Sequence, residues 1–294
     1  MDRKAHLAGI GFGLLAYGIW GFFPLYFRQL SHISPMDVLS NRAVWGCVFV
    51  TVLLTLRQRW GKVLAVFKTP RYLAMLALAA LLVASNWLMF LWAVANQQVV
   101  ASSLGYFLTP LVNVLLGLVV LKERLNKLEW ISVGLAVAAI FNEVLSLGSL
   151  PWVSLFLAAT FGTYGLVRKQ VPVDAISGLW LETLAMLPVC GIYALWMAQS
   201  GHQVFAPENG LTVTLLIGAG ILTALPLMFF AAATQRLGLA TVGMLMYINP
   251  TMQFITAIWI FGEPMQKARL VSFGLIWIGL FIFSWSMWRK IRRQ

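Results

Sequence analysis

Two charged residues stand inside long apolar segments of this sequence, where a charge is costly. Arg42 lies within Pro35–Leu56, and Glu182 lies within Ala175–Ala198. A charge at the centre of a membrane-spanning helix costs about 2.5–3.5 kcal/mol on insertion scales, so such residues usually face the protein interior. The chemistry they offer is electrostatic. Arg42 would hold a carboxylate or another anionic group, and Glu182 a cationic group or a proton.

The two charges are related by a repeat within the chain. A shift of 140 places carries Arg42 onto Glu182, and it also carries residues 101–141 onto 241–281 without a gap. Pro110 falls on Pro250, and Glu123 falls on Glu263. A similarity at a fixed period is the mark of a repeated structural unit. We therefore expect a duplicated unit of about half the chain.

Depth in the membrane separates Arg42 from Glu182. Each lies about seven residues inside its segment, which at ~1.5 Å per residue is about 10 Å from opposite surfaces. In a ~30 Å hydrocarbon core their backbones are then about 10 Å apart along the normal. We expect each at its own end of a shared cavity. Two alternatives remain: Arg42 reaches the outer interface, and Glu182 is a structural anchor beside Arg168 or Lys169.

Two further sets of residues are candidates for the cavity wall. Tyr106, Pro110 and Asn113 share one helical face, and Pro250 with Gln253 repeats it in the second copy. Each proline removes a backbone hydrogen bond and favours a kink, so both are candidate hinges. Helix packing explains this stripe equally well. The second set combines rings, which hold apolar or cationic groups, with amides, which fix polar ones: Trp20, Asn86, Trp87 and Tyr164. Asn41 and Asn86 are candidate hydrogen-bond partners for the anionic group that Arg42 would hold.

Enzyme chemistry has no support in the sequence. Catalysis by a membrane hydrolase would need a nucleophile and a base held together, whereas the histidines His6, His32 and His202 all fall at segment edges or in loops. Neither a metal-binding HExxH motif nor a glycine-rich phosphate loop with a lysine is present. We therefore expect no catalytic residue, no metal and no cofactor.

Composition places the chain in a lipid bilayer. It has 294 residues, of which 61% are hydrophobic and 10% charged, whereas soluble domains carry about 25% charge. Ten apolar segments have the length of about 20 residues that a spanning helix needs. They are Leu7–Phe27, Pro35–Leu56, Tyr72–Ala95, Val99–Leu121, Leu128–Leu147, Leu150–Val167, Ala175–Ala198, Leu211–Gln235, Leu239–Phe261 and Ala268–Trp288. The sequence predicts an all-α membrane protein with ten transmembrane helices.

The basic residues predict its orientation. Of the 21 lysines and arginines, seventeen fall on the N-terminal side of the membrane and three on the other, with Arg42 inside a segment. Cytoplasmic loops carry the excess of lysine and arginine, so both termini are expected in the cytoplasm of a bacterial-type inner membrane. The net charge of +12 is then a topology signal with anionic-lipid contact, and no nucleic-acid partner is expected.

Five helices per repeat make the second repeat enter the membrane from the opposite side. We expect two inverted five-helix repeats, residues 1–147 and 148–294, related by a pseudo-two-fold axis in the membrane plane. Substrate sites in such architectures lie near the midplane between the repeats.

Several stretches resemble the drug/metabolite transporter superfamily with its paired EamA-type domains, and within it the RarD branch, named for chloramphenicol sensitivity. They are Tyr17–Gly21, Asn41–Trp45, Asn86–Trp87, Trp92–Val94, Ser103–Phe107, Pro110–Asn113 and Tyr164–Lys169. The resemblance implies a transporter of small metabolites or drugs that works as an exporter. A non-transporting membrane scaffold or receptor is the alternative from another class, and a channel is weaker because the sequence suggests no rings of like charge.

Overall fold

The computed structural model describes residues 3–120, 122, 125–148, 150–205, 210–234, 236–237 and 245–292, and within these ranges every regular element is helical. Glu123 and the start of the predicted ninth segment lie outside them. The α-helices, in chain order, are α1 Arg3–Gly21, α2 Phe23–Arg28, α3 Pro35–Leu56, α4 Trp60–Phe67, α5 Pro70–Ala95, α6 Val99–Val120, α7 Lys127–Leu147, α8 Trp152–Lys169, α9 Ala175–Ala198, α10 Gly210–Thr234, α11 Ile248–Ile255 and α12 Lys267–Arg292. A π-helical turn, Thr256–Ile260, follows α11 directly.

Eight of the described helices, counting α1 and α2 as one span, are long and apolar enough to cross a membrane. These are α1–α2, α3, α5, α6, α7, α9, α10 and α12, and they confirm an all-α membrane protein. The number ten stays a prediction. The sixth predicted segment forms α8, a more polar helix that packs against α5 and α6. In the ninth predicted segment, α11 and the π-helical turn cover Ile248–Ile260.

One short helix was not predicted. Trp60–Phe67 forms α4 between two spans, with Leu64 and Phe67 exposed and Val63 and Val66 buried. Eight residues are too few to cross the bilayer, so hydrophobic-segment reasoning assigned this stretch to a loop.

Local sequence signals set several helix ends. Pro35 and Pro70 begin α3 and α5, where a proline sacrifices no helical hydrogen bond. Asn126 begins α7 with a capping box: its side chain accepts from the backbone of Glu129, whose carboxylate accepts from the backbone of Asn126. Gly148 ends α7 in the left-handed conformation, at φ 65°.

The helix starts follow the 140-place shift seen in the sequence. The starts of α3, α5 and α7 lie 140 residues before those of α9, α10 and α12, in the pairs Pro35/Ala175, Pro70/Gly210 and Lys127/Lys267. Packing follows the same shift. The contact of α1 with α10 corresponds to that of α8 with α5, and the contact of α1 with α11 to that of α8 with α6. In three further contacts, the two helices that touch are themselves related by the shift: α3 with α9, α6 with α11 and α7 with α12.

A close backbone approach between the halves joins α3 to α10. A Cβ atom at Gly220 would lie 2.5 Å from the backbone nitrogen of Gly46 and 2.5 Å from the carbonyl carbon of Trp45. These obstacles are backbone atoms, which cannot turn aside as a long side chain can. Small residues permit such contacts between membrane helices, and this one holds Arg42 on α3 beside α10.

Replacing Gly220 with alanine should therefore destabilise the protein. Overpacking typically costs about 1–3 kcal/mol, and unfolding of the purified protein by SDS titration measures it. The matched control is Gly134→Ala in α7, where a Cβ meets nothing within 4 Å. Equal stability of the two variants would contradict the close α3–α10 contact.

Candidate functional site

A cavity of about 580 Å³ lies between helices of the two halves. Nine of the ten residues predicted from the sequence to bind substrate line it, together with Pro250: Trp20, Arg42, Asn86, Trp87, Tyr106, Asn113, Tyr164, Glu182 and Gln253. Asn41 and Pro110 do not line it. A volume of this size is in the range of about 300–1,000 Å³ that holds small-molecule ligands.

Arg42 occupies one part of the cavity without a counter-ion. Its side chain is 2% exposed, and no carboxylate of the described chain lies within 4.0 Å of it. Nε donates to the hydroxyl of Thr223 on α10 at 2.5 Å, and the guanidinium carbon lies 4.0 Å from the ring centre of Trp87. The rings of Phe23 and Phe27 lie at 5.4 and 5.3 Å. The aromatic contacts lower the cost of burying the cation, but Nη1 has no hydrogen-bond partner.

This position corrects the alternative in which Arg42 extends to the outer interface. Its side chain is buried among α2, α5 and α10, because aromatic rings from two of these helices cover the guanidinium. Arg42 is thus a buried charged group that lines the cavity and has no carboxylate partner among the described residues.

Glu182 has partners of its own. Its carboxylate forms an ion pair with Arg168, in which Nε of Arg168 lies 2.9 Å from Oε1. The two groups are not aligned for a hydrogen bond. The hydroxyl of Tyr164 donates to Oε2 at 3.1 Å. Arg168 also donates to the carbonyls of Val173 and Asp174. The pair is therefore neutral and tied to the loop between α8 and α9.

Asn86 positions its neighbours through a saturated amide. Nδ2 donates to the carbonyl of Leu157 at 3.0 Å and to the hydroxyl of Thr160 at 2.9 Å. Oδ1 accepts from Tyr106 at 3.1 Å. Since an amide nitrogen has two hydrogens, no donor is left for a ligand. Asn86 instead joins α5 to α8 and orients the Tyr106 hydroxyl.

The polar stripe of α6 and α11 faces the cavity in part. Asn113 is exposed within the cavity, and Gln253 is 2% exposed. The amide nitrogen of Gln253 donates to Asn249 at 2.8 Å, and its oxygen accepts from Ser102 on α6 at 3.3 Å. Gln253 thus joins α11 to α6. Pro110 is buried beside this stripe.

Asn41 does not line the cavity, and its amide is hydrogen-bonded to backbone carbonyl groups instead. Nδ2 donates to the carbonyls of Asp37 and Val204, at 3.0 and 2.8 Å. Asp37 is also buried, and its carboxylate contacts the hydroxyl of Tyr193 at 2.6 Å and Nε2 of His202 at 2.7 Å. These contacts hold the start of α3 to the end of α9, at the opposite end of α9 from Asp174.

The cavity reaches the other end of the bundle. Val173 and Arg168 line it there, and Asp174 joins the loop to α4 through Arg59 and Lys62, at 3.3 and 3.5 Å. Burial raises the pKa of Asp174, but hydrogen bonds from Ser177 and the two positive charges outweigh it, so the pKa lies below its ordinary value.

Sequence reasoning missed several lining residues, among them Thr223 and Phe230. The 140-place shift applied to Trp87 finds Leu227, but it does not find Thr223 or Phe230, because their counterparts Val83 and Phe90 were not candidates. Seven pairs related by this shift line the cavity: Arg42/Glu182, Val83/Thr223, Trp87/Leu227, Phe90/Phe230, Tyr106/Met246, Thr109/Asn249 and Asn113/Gln253.

Comparison with known proteins gives concordant results. Residues 7–142 match the model of the EamA-like transporter family. An uncharacterized transporter of Vibrio cholerae is 42% identical over 96% of this chain and 94% of its own length. A Salmonella typhimurium protein named Protein RarD is 41% identical over 96% of both chains. The uncharacterized transporter YojE of Bacillus subtilis is 36% identical over the full length of both.

A solved structure described only as "Crystal structure of protein" matches with a TM-score of 0.58. It covers 96% of this chain and 98% of that chain at 17% identity. At this identity the likeness concerns the fold alone.

Removing one partner of the Arg168–Glu182 pair should be costly, whereas removing both should not. Glu182→Gln leaves Arg168 as an uncompensated partly buried charge, for which about 3–5 kcal/mol is typical. The Arg168→Gln, Glu182→Gln double variant should recover most of that loss. A double-mutant cycle on the free energy of unfolding measures the coupling. Additive effects would show that the two side chains do not interact.

Proposed function

Because the chain belongs to the EamA-like transporter family, in the RarD branch of the drug/metabolite transporter superfamily, we propose that it is a secondary transporter that exports a small molecule by alternating access through the cavity. It is a multi-pass protein of the inner membrane. The proposal covers the direction, the mechanism and the residues that bind substrate.

The observation that carries the proposal is that Arg42 lines a cavity large enough for a small molecule and has no carboxylate partner among the described residues. A charge-assisted hydrogen bond to an anion is among the strongest contacts that such a group makes. A substrate with a carboxylate or another anionic group would provide it. Trp87 and Thr223 fix the guanidinium in place, so a ligand meets an already oriented donor.

Alternating access is supported by the relation between the halves. The helix starts and the helix contacts follow one 140-place shift, as expected for two inverted repeats with a site at their interface. We assign residues 1–147 and 148–294 to these repeats. In this mechanism one half moves against the other around a fixed midplane site.

Export is supported by the side that the cavity reaches. It extends to Val173 in the loop after α8, and the basic residues of the chain assign this loop to the cytoplasm. At the other side Glu263 accepts from the first backbone groups of α6, Val99 and Val100, both at 2.8 Å. Asp37 holds α3 to His202 there. A cytoplasmic substrate would thus reach Arg42 in this conformation.

The hinge assignment rests on two prolines. Pro110 interrupts the hydrogen bonding of α6 near its middle, and Pro250 lies in the first turn of α11, ahead of a π-helical turn. Irregular turns of this kind are frequent at functional sites. We assign the bending of α6 and α11 during transport to these positions.

Purified protein in liposomes should catalyse saturable movement of small carboxylates, and Arg42→Gln should reduce the rate at least about tenfold, because the loss of a charge-assisted contact costs more than 1.4 kcal/mol. Arg42→Lys keeps the charge and should retain part of the activity. Arg71→Gln, an exposed arginine, is the control. A scaffold or receptor would give no saturable flux.

The same flux assay tests the hinges. Pro110→Ala and Pro250→Ala should slow transport more than they lower the amount of folded protein. Unchanged transport in both variants would leave the prolines as tolerated kinks.

The orientation predicts which loops an impermeant maleimide reaches in intact cells. Ser200→Cys should react from outside, and Gln58→Cys only after permeabilisation, because basic residues surround Gln58. Both positions are exposed, whereas the native Cys47 and Cys190 are buried. Labelling of both engineered cysteines from one side would contradict the topology.

A further inference from the structure

We propose that the cavity selects its substrate by net charge: it takes a molecule with one negative charge, an aromatic body and no ammonium group. This inference rests on the proposed function and names the substrate class of the same site. Its basis is the positive charge of Arg42, which no described carboxylate neutralises.

Three charged side chains line the described part of the cavity, Arg42, Arg168 and Glu182. Arg168 and Glu182 neutralise each other at 2.9 Å. Arg42 has no such partner among the described carboxylates. The empty cavity therefore carries a net charge of one positive unit.

Transport requires the loaded cavity to close and lose most of its water. A buried charge without a partner is strongly unfavourable in that state. A monoanion bound to Arg42 makes the closed cavity neutral. A zwitterion leaves the total unchanged at one positive unit, and a cation raises it.

An ammonium group also lacks a free carboxylate. Glu182 accepts from Tyr164 and pairs with Arg168. Asp37, the nearest acid to Arg42 in sequence on α3, is turned toward Tyr193 and His202. Binding a substrate ammonium would require one of these contacts to break.

The geometry at Arg42 favours an anion that approaches the edge of the guanidinium. The ring centre of Trp87 lies 4.0 Å from the guanidinium carbon, and Nε donates to the hydroxyl of Thr223. Nη1 remains on the edge without a partner. A carboxylate matches this planar edge, as in the paired contacts that arginine makes with carboxylates. A purely structural arginine would have its donors satisfied by the protein.

The rest of the wall fits a flat apolar body. Tyr17, Trp20, Phe90, Phe161 and Phe230 contribute rings to the cavity, and stacked or edge contacts with another ring are favourable. Farther along, Asn113 and Asn249 offer uncharged polar groups.

Four indole compounds of similar size isolate the effect of charge: indole-3-acetate, its neutral amide indole-3-acetamide, zwitterionic tryptophan and cationic tryptamine. Their binding to purified full-length protein in detergent is measured by calorimetry. Indole-3-acetate should bind at least about tenfold more tightly than each of the others, because it alone supplies a carboxylate for the buried charge without adding an ammonium group. Arg42→Gln should bring indole-3-acetate to the level of the amide, with Arg42→Lys between, while Arg71→Gln leaves the order unchanged.

Equal or tighter binding of the amide, tryptophan or tryptamine overturns the inference, and so does the absence of binding by all four. The wild-type comparison stands even where Arg42→Gln fails to fold. Failure of the proposed function gives a different result, since the same binding order would then persist without flux in liposomes. Saturable flux of a zwitterion or a cation would keep the transporter and overturn the charge rule.

Discussion

The burial of one unpaired positive charge is the constraint on which the site depends. Arg42 lies in a low-dielectric interior where a lone charge is strongly unfavourable. The protein reduces this cost with the ring of Trp87 and the hydroxyl of Thr223, and leaves Nη1 buried without a hydrogen-bond partner. These groups come from α3, α5 and α10, so the helices must pack closely. The Gly46–Gly220 contact between α3 and α10 meets that need.

The second charge shows how related positions can differ in chemistry. Glu182 lies on α9 where Arg42 lies on α3, 140 places earlier. Arg168 supplies its counter-ion from α8. A side chain at Gly178 would overlap the Arg168 guanidinium, so the absence of a Cβ leaves room for the pair. One position is thus neutralised within the protein, and the other has no carboxylate partner among the described residues.

The sequence predicted an all-α membrane protein and the superfamily, and both are confirmed by the helices and the relatives, whereas ten helices in two inverted repeats stay a prediction. Hydrophobic length and the repeat carry that information because they belong to single segments. The sequence could not show which helix faces come together in the structure. Asn41 and Arg42 are neighbours, but successive helical residues point about 100° apart, and only Arg42 faces the cavity. Thr223 was missed because its importance comes from Arg42, which is distant in sequence.

The charges at the cavity and the contacts at the end where Arg168 lies form one connected set. Arg168 pairs with Glu182 and donates to the carbonyl of Asp174. The carboxylate of Asp174 in turn holds Arg59. A ligand that altered the Arg168–Glu182 pair would therefore act on the loop between α8 and α9, which contacts the other half through Asp174 and Arg59. Arg42 has no such connection, because its polar contact is to Thr223 within the membrane. In the proposed cycle, Arg42 holds the ligand and the Arg168–Glu182 pair responds to movement of the loop. Binding and closure are then carried out by different residues.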